Sequence, residues 1–166
     1  MHKRLSRKED TCLTKDEFTS RVIAAEGRLY RVARSYLRGE QDCLDAVQEA
    51  IFKAWQKQGT LRQEAYFETW LTRILIHESV AILRKQKRMI PVETVPETPA
   101  PPSHDVALRD ALDRLPQKMR TATVLFYMEG FSIEETARIM RVPKGTVSSW
   151  LHYARQRLKD MLTEEV

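Results

Sequence analysis

The sequence has little cysteine, little glycine and no long apolar run, and each shortage excludes a class of protein. Its 2 cysteines, Cys12 and Cys43, form no CxxC pair, which argues against a disulfide framework and a cysteine-built zinc site. Only 5 glycines occur, and neither GxGxxG nor GxxxxGK(S/T) is present, so the common phosphate-binding loops are missing. The longest apolar run, Val124–Met128, is too short to span a membrane. No nucleophile–base or metal-ligand spacing stands out among the 4 histidines. These features predict a cytoplasmic protein that is not an enzyme, with no catalytic residues, no metal and no cofactor.

Charge and proline are unevenly distributed along the chain. Basic side chains number 28 and acidic ones 23, a surplus that suits either attraction to a polyanion or solubility. Residues 1–13 form a basic tail with no apolar stretch after its cations, unlike a secretory signal. Residues 90–104 hold 5 of the 7 prolines, which predicts a semi-stiff extended linker. We therefore expect two domains, residues 14–89 and residues 105–166.

Both expected domains have helical patterns, and strand signals are weak throughout. Thr14 opens a T-x-x-E capping box, and apolar residues recur at helical spacing up to Gly39. In the second helix Trp55 belongs to the apolar positions. The expected fold class is all-α, with further helices at Asp42–Lys57, Tyr66–Arg88, Val106–Arg114, Gln117–Tyr127, Ile133–Met140 and Gly145–Leu162.

The pattern near the end of the chain is typical of a helix-turn-helix. Ser132 opens a second capping box, residues 142–145 break the helix, and Thr146 is expected to start the next one. A short helix, a sharp turn and a longer helix form the motif whose second helix enters the DNA major groove. An apolar stripe marks the inner side of that second helix: Val147, Leu151, Ala154, Leu158 and Leu162.

The opposite side of this last helix offers groups that can reach bases and phosphates, and no acid occurs between Lys144 and Lys159. An ordinary helical hairpin with a solvated polar face remains the alternative. The candidate DNA contacts are Lys144, Thr146, Ser148, Ser149, His152, Tyr153, Arg155, Gln156 and Lys159.

Four ordered blocks resemble extracytoplasmic-function (ECF) sigma factors, the small two-domain type of bacterial transcription initiation factor. DCLDAVQEAIFKAWQ resembles the family pattern D-x-x-D-x-V-Q-E-x-F-x-x-A-W, and FETWLTRIL resembles F-x-T-W-L-x-R-I. RKQKR closes the first domain, and ALDRLPQKMRTATVLFYMEGFSIEETARIMRVPKGTVSSWLHYAR covers the second. The resemblance implies a region 2 helical bundle and a region 4 helix-turn-helix joined by the proline-rich linker. It also implies direction of transcription from a stress-related or envelope-related regulon.

The resemblance implies that the second helix docks on the clamp coiled coil of the β′ subunit of core RNA polymerase. Acidic and amide groups at this spacing share one helix face, although the macrodipole alone would favour carboxylates at its N-terminus. Leu44 stands where the family often has an acid. The implied polymerase-binding residues are Asp42, Asp45, Gln48, Glu49 and Phe52.

The third helix matches the segment that reads and opens the −10 promoter element. Tyr66 is expected to stack on an unpaired base, whereas Phe67 and Trp70 are expected in the core. His77 and Ala81 replace residues common in the family, so a different preference for −10 bases is expected. The implied −10 contacts are Tyr66, Arg73, His77, Arg84, Lys85, Lys87 and Arg88.

For the second domain, the resemblance implies reading of the −35 element and contact with the polymerase β flap. Ser148 and Trp150 stand where the family usually has cations, which predicts fewer phosphate contacts and an altered −35 sequence. An anti-sigma factor, often membrane-anchored in this family, is a further implied partner. A stand-alone helix-turn-helix repressor is the rival hypothesis, but it would leave the first domain without a role.

Overall fold

A computed structural model describes residues 13–89 and 104–164, and both ranges are helical. All of the expected tail except Leu13 and all of the expected linker except His104 lie outside the described residues, so both stay predictions. No strand occurs in the two described ranges, which agrees with the all-α prediction. Those ranges contain seven α-helices: α1 (Lys15–Arg34), α2 (Glu40–Gln56), α3 (Phe67–Arg88), α4 (His104–Arg114), α5 (Gln117–Thr123), α6 (Ile133–Met140) and α7 (Lys144–Glu164).

Both predicted capping boxes are present. The Thr14 hydroxyl accepts from the Glu17 amide while the Glu17 carboxylate accepts from the Thr14 amide, and the Ser132 and Glu135 pair repeats this exchange at α6. Each box pairs two backbone donors that a helix start would leave free. The sequence therefore located the starts of α1 and α6 correctly.

Several helix boundaries differ from the prediction, and local hydrogen bonding or geometry accounts for three of them. α1 ends at Arg34 rather than near Gly39, because the Ser35 hydroxyl bonds the Val32 carbonyl and the chain turns there. α7 begins at Lys144 rather than Thr146, because the Pro143 carbonyl accepts the first helical amides. The helix after Pro116 is regular only to Thr123 and continues as a wider π-helical segment, Val124–Met128.

The first half of the chain is a bundle of α1, α2 and α3, in which each helix contacts the other two. Two short 3-10 turns, Gln58–Thr60 and Glu64–Tyr66, connect α2 to α3. The small side chains of α2 bring it close to its neighbours, and large side chains from α1 and α3 fill the interior. The most completely buried large residues there are Leu29, Leu37, Phe67, Leu71 and Leu75.

In the second half α4, α5 and α6 all pack on α7. Ala137 on α6 is buried, as its small size predicted, and it lets α6 approach α7 closely. Val147 and Leu151 supply the apolar side of α7 in this core, with Trp150 packed at its edge. The predicted inner stripe of α7 is confirmed, because Ala154 is also buried and Leu158 and Leu162 are half-buried.

The two halves also pack against each other. Val124, Leu125, Phe131 and Ile139 from the second half belong to the same buried cluster as the core of the first half. The prediction of two domains gave no indication of this shared core.

Candidate functional site

The outward face of α2 carries acidic and apolar side chains together. Asp45, Gln48, Glu49 and Phe52 lie within an arc of about 120° opposite the buried face, and all four are exposed. Asp42 is placed differently, because it is half-buried and its carboxylate accepts a 2.7 Å hydrogen bond from Gln86 on α3. Four of the five predicted polymerase-binding residues therefore form one accessible patch, while Asp42 also ties α2 to α3.

Two aromatic side chains enlarge this patch. Phe52 is 56% exposed and Trp55 is 42% exposed, and both line a shallow groove of about 570 Å³ between α1 and α2. Trp55 meets Phe18 edge-to-face, with ring centroids 5.1 Å apart. Trp55 was predicted only as one of the apolar positions of the helix, yet its angle on the helical wheel lies about 130° from the buried face. We define Asp45, Gln48, Glu49, Phe52 and Trp55 as the α2 patch.

At the start of α3, one aromatic residue is accessible and two are held by the fold. Tyr66 is 46% exposed, whereas Phe67 is buried as predicted. Trp70 is half-buried and its indole N–H donates to the Thr60 hydroxyl at 3.2 Å. Tyr66 and Trp70 share a groove of about 640 Å³ with Arg73 and with Arg138 of α6. Of these three rings, Tyr66 alone is exposed to solvent.

The rest of α3 presents a basic face. Arg73, His77, Arg84 and Arg88 fall within an arc of about 60°, opposite the buried face of the helix. All four are exposed, as are Lys85 and Lys87 beside them. This arrangement places positive charge along some four turns of helix, as contact with a nucleic-acid backbone requires.

A buried acid lies beneath this basic face. Glu78 is buried on α3 and accepts a 2.8 Å hydrogen bond from Lys53 of α2, while His77 Nδ1 lies 3.2 Å from the same oxygen. Burial acts to raise the pKa of Glu78, but the hydrogen bonds from Lys53 and His77 outweigh it and lower that pKa. The bond to Glu78 raises the pKa of Lys53 in turn. His77, predicted only as a DNA contact, therefore also supports the Lys53–Glu78 pair.

The turn between α6 and α7 has the geometry of a helix-turn-helix. Arg141 ends α6 in the left-handed conformation, with φ of 56°, which reverses the chain without a glycine. Lys144 at the start of α7 forms an ion pair with Glu134 at the start of α6. The α6–α7 pair is therefore fixed by its core and by a contact across its outer edge.

The outward face of α7 carries most of the predicted −35 contacts. Ser149, His152 and Gln156 are exposed along its centre, and the His152 and Tyr153 rings are 5.5 Å apart. Thr146 is half-buried, and Lys144 is engaged with Glu134. The remaining predicted contacts, Ser148, Tyr153, Arg155 and Lys159, are also exposed.

Two further findings concern the described residues as a whole. None of their helices is long and apolar enough to cross a membrane. No group of three or more metal-binding side chains comes together among them.

Comparisons with known proteins find matches for both halves of the chain. Residues 22–89 match the family described as Sigma-70 region 2, and residues 105–158 match Sigma-70, region 4. RNA polymerase sigma factor SigV of Bacillus subtilis is 35% identical over 141 residues, which cover 82% of this chain and 85% of the relative. ECF RNA polymerase sigma factor SigM of Mycobacterium tuberculosis is 36% identical over 140 residues, which cover 81% of this chain and 71% of the relative.

A solved structure is similar over almost the whole chain. The sigma factor RpoE from Bartonella quintana, in complex with the anti-sigma factor NepR, superposes with a TM-score of 0.78 at 29% identity. The match covers 90% of this chain and 98% of that one. Sigma factors are transcription initiation factors rather than enzymes. The matches to both sigma regions and to full-length relatives show that this chain belongs to the family of ECF RNA polymerase sigma factors.

Proposed function

We propose that this sigma factor docks on the β′ clamp coiled coil of core RNA polymerase through the α2 patch. The patch combines two carboxylates, an amide and two exposed aromatic rings on one helix face. Carboxylates guide a basic partner surface into place, and exposed aromatic rings supply apolar area that an interface can bury. The exposure of Phe52 and Trp55 carries this proposal, because a protein without a partner gains nothing from leaving two large rings in water.

We further propose that the exposed faces of α3 and α7 bind promoter DNA. The α3 face reads and opens the −10 element, with Tyr66 stacking on an unpaired base and the cations on the strand backbone. The α7 face reads the −35 element in the major groove, with Ser149 and His152 toward the bases. Region 4 contacts the β flap, and the protein acts in the bacterial cytoplasm, where polymerase and DNA meet.

An anti-sigma factor is part of the proposal. The similar sigma factor RpoE from Bartonella quintana was solved with the anti-sigma factor NepR, which supports a partner of the same kind here. Overexpression of the chain in its native cell should then raise transcription from its promoters above the level of unstressed cells. No rise would contradict the presence of such an inhibitor.

A charge-reversal variant tests the docking role. Asp45→Arg with Glu49→Arg places two cations on the α2 patch while keeping good helix formers. Run-off transcription with core enzyme should fall at least 10-fold, and co-purification with core enzyme should be lost. Glu26→Arg, an exposed acid on α1, is the matched control and should retain activity. Unchanged co-purification of the double variant, with a normal circular dichroism spectrum, would remove α2 from the docking role.

A second pair of variants tests how α7 reads DNA. His152→Ala should change the preferred −35 sequence, with about 1–3 kcal/mol of discrimination at most. Lys159→Ala should instead weaken binding to all sequences and lower the salt slope by about one unit. The measurement is selection of −35 variants in the presence of core enzyme. A stand-alone repressor would bind the same DNA without polymerase, so a mobility shift by the chain alone would favour that rival hypothesis.

A further inference from the structure

A buried acid of α3 bonds an exposed ring on the basic face of the same helix. The Glu78 side chain is 8% exposed, whereas the side chain of the adjacent His77 is 81% exposed. The two meet through the inner nitrogen of the imidazole, because His77 Nδ1 lies 3.2 Å from Glu78 Oε1. The His77 ring is therefore anchored from below and cannot turn without breaking this bond.

The charge of Glu78 decides which of the two groups donates in this bond. Burial acts to raise the pKa of Glu78, but the hydrogen bonds from Lys53 and His77 lower it below its ordinary value. The carboxylate is thus ionised at neutral pH, and an ionised carboxylate only accepts hydrogen bonds. The proton between the two side chains therefore belongs to Nδ1 of His77, which donates to Glu78.

This bond also determines the chemistry of the outer ring nitrogen. A neutral imidazole has a single N–H, so a proton held on Nδ1 leaves a lone pair on Nε2. A hydrogen bond to a buried charged group is strong enough to favour this tautomer by about 10-fold or more. Nε2 is the ring nitrogen farther from the backbone, and on a side chain that is 81% exposed it lies on the solvent side. His77 thus presents a hydrogen-bond acceptor.

The neighbours of His77 on the basic face have the opposite character. Arg73 and Arg84 are exposed in the same arc of α3, and their guanidinium groups only donate. Phosphate oxygens only accept, so they suit arginine and offer nothing to the lone pair of Nε2. The edges of adenine and cytosine carry amino groups that donate. Nε2 therefore complements a base edge, whereas the arginines beside it complement the DNA backbone.

We propose that Glu78 is a positioning residue that holds the proton of His77 on Nδ1, so that Nε2 accepts a hydrogen bond from the amino group of an adenine or cytosine in the −10 element. The inference deepens the proposed function and rests on it in one respect, that α3 reads the −10 element. Glu78 is buried and does not touch DNA. Its effect on base preference passes entirely through the imidazole ring.

The tautomer of His77 can be measured without DNA or polymerase. Long-range ¹H–¹⁵N correlation spectra of the full chain distinguish a protonated ring nitrogen from a bare one, and at about pH 8 free histidine is neutral. The His77 signals, identified by their loss in His77→Ala, should show Nδ1 protonated and Nε2 bare. A proton on Nε2, or equal amounts of both tautomers, would overturn the proposal.

Two substitutions separate the positioning role from a loss of stability. Glu78→Gln introduces an amide that can donate to Nδ1 as well as accept from it, so the two tautomers of His77 should become mixed. Lys53→Gln is the matched control, because it breaks the same ion pair but leaves the carboxylate to His77, and the Nδ1–H tautomer should persist. Circular dichroism checks that both chains are folded. A natural-like His77 spectrum in Glu78→Gln would overturn the role of Glu78.

Base analogues test what Nε2 reads, with no change at Glu78. Selection of −10 variants with core enzyme should show a position where the natural chain prefers adenine or cytosine and His77→Ala does not. Replacing that base by purine or pyrimidin-2-one, which lack the amino group, should lower run-off transcription by the natural chain about 10-fold. The same replacement should change transcription by His77→Ala less than about 2-fold. An equal loss for both chains would overturn the acceptor role of His77.

The effects of Glu78 and His77 on base preference must also be coupled. Glu78→Gln should weaken the preference for the amino group in the natural chain, and Lys53→Gln should keep it. In the His77→Ala background, Glu78→Gln should leave the −10 preference unchanged, and a change there would overturn the positioning role. If the natural chain with core enzyme selects no −10 sequence at all, the proposed function fails, while the spectra still decide whether Glu78 fixes the tautomer.

Discussion

Residues 13–89 enclose their own core with large side chains from three long helices, whereas residues 104–164 enclose a much smaller one. The first half buries rings and leucines such as Phe67, Leu71 and Leu75 almost completely. The enclosed core of the second half consists of Ala122, Ala137, Val147 and Leu151 with half-buried neighbours. Four further buried side chains of this half, Val124, Leu125, Phe131 and Ile139, belong to the cluster that it shares with the first half. The two halves are similarly helical, but they differ in how their apolar side chains are buried. The first half buries most of its own core, whereas the second half relies on contact with the first half for much of its burial.

The largest effect is expected from breaking the apolar contact between the halves. Phe131→Ala should cost about 3–5 kcal/mol of unfolding free energy, as is typical for a buried phenylalanine. Because the loss falls on the half with the smaller core, urea unfolding should separate into two transitions, with the second half melting first. Phe52→Ala, on the exposed face of α2, is the control and should change stability by less than about 0.5 kcal/mol. A single unshifted transition for Phe131→Ala would show that the second half is self-sufficient.

The next effect concerns the buried acid of the first half. Glu78→Gln removes the charge that Lys53 pairs with and should cost about 1–3 kcal/mol at pH 7. Glu78 has a pKa in the folded chain below the 4.5 expected when unfolded, so its stabilising contribution is present above pH 4.5. That contribution is lost as pH falls through the folded-state value. Chemical denaturation from pH 7 to pH 3 should therefore show the natural chain and the variant converging in acid, and a constant difference would contradict the ion pair.

The two capping boxes allow the same motif to be compared in both halves. Thr14→Ala and Ser132→Ala each remove a hydroxyl that accepts from a helix amide, at an expected cost of about 1 kcal/mol. If the second half relies on the first for burial, Ser132→Ala should destabilise only the second half. Thr14→Ala should then destabilise both halves. Ser20→Ala, at an exposed position inside α1, should be neutral or slightly stabilising. Hydrogen exchange resolved by segment measures the two responses separately.

The smallest effect is expected at Thr136. Its hydroxyl is buried in α6 without a hydrogen-bond partner among the described residues. Thr136→Val keeps the shape and removes the unsatisfied group, so the melting temperature should stay the same or rise slightly. Thr123→Val is the matched comparison, because that hydroxyl donates to the Met119 carbonyl at 2.8 Å and its loss should be mildly destabilising. A clear loss of stability in Thr136→Val would indicate a partner for this hydroxyl.

Features that depend on neighbours in sequence were predictable. The capping boxes at Thr14 and Ser132, the ends of α6 and the inner stripe of α7 follow from local hydrogen bonding and helical periodicity, and the structure confirms them. The exposed placement of the α3 cations and of most α7 contacts also follows from periodicity. The predicted start of α7, at Gly145 or Thr146, was late by one or two residues, because the carbonyl of Pro143 accepts the hydrogen bonds of the first turn.

Features that depend on distant contacts were not predictable. Asp42 was predicted to bind polymerase from its charge and its place in the motif. In the structure its carboxylate accepts a hydrogen bond from Gln86 of α3, which lies 44 positions later. Nothing in the local sequence around Glu129 indicated its ion pair with Arg31, which lies 98 positions earlier. Trp55 is an intermediate case, since its angle on the helix indicated exposure although its chemistry suggested burial. Charged residues that are far apart in sequence become partners only in the folded chain, and a periodic sequence pattern carries no information about which of them will meet.

The π-helical segment has a consequence for how this chain tolerates insertions and deletions. The Glu129 amide bonds the Val124 carbonyl five positions back, at 3.0 Å, so the segment holds one residue more than a regular helical turn would. Deleting a single residue between Val124 and Met128 would let the backbone return to the regular pitch. Because the extra residue is what widens the turn, the Glu129 amide could still bond the Val124 carbonyl, and the acid would keep nearly the same position relative to α5. A one-residue deletion in this segment is therefore expected to be tolerated better than one inside a regular helix such as α3, where every following side chain would turn through about 100° about the helix axis.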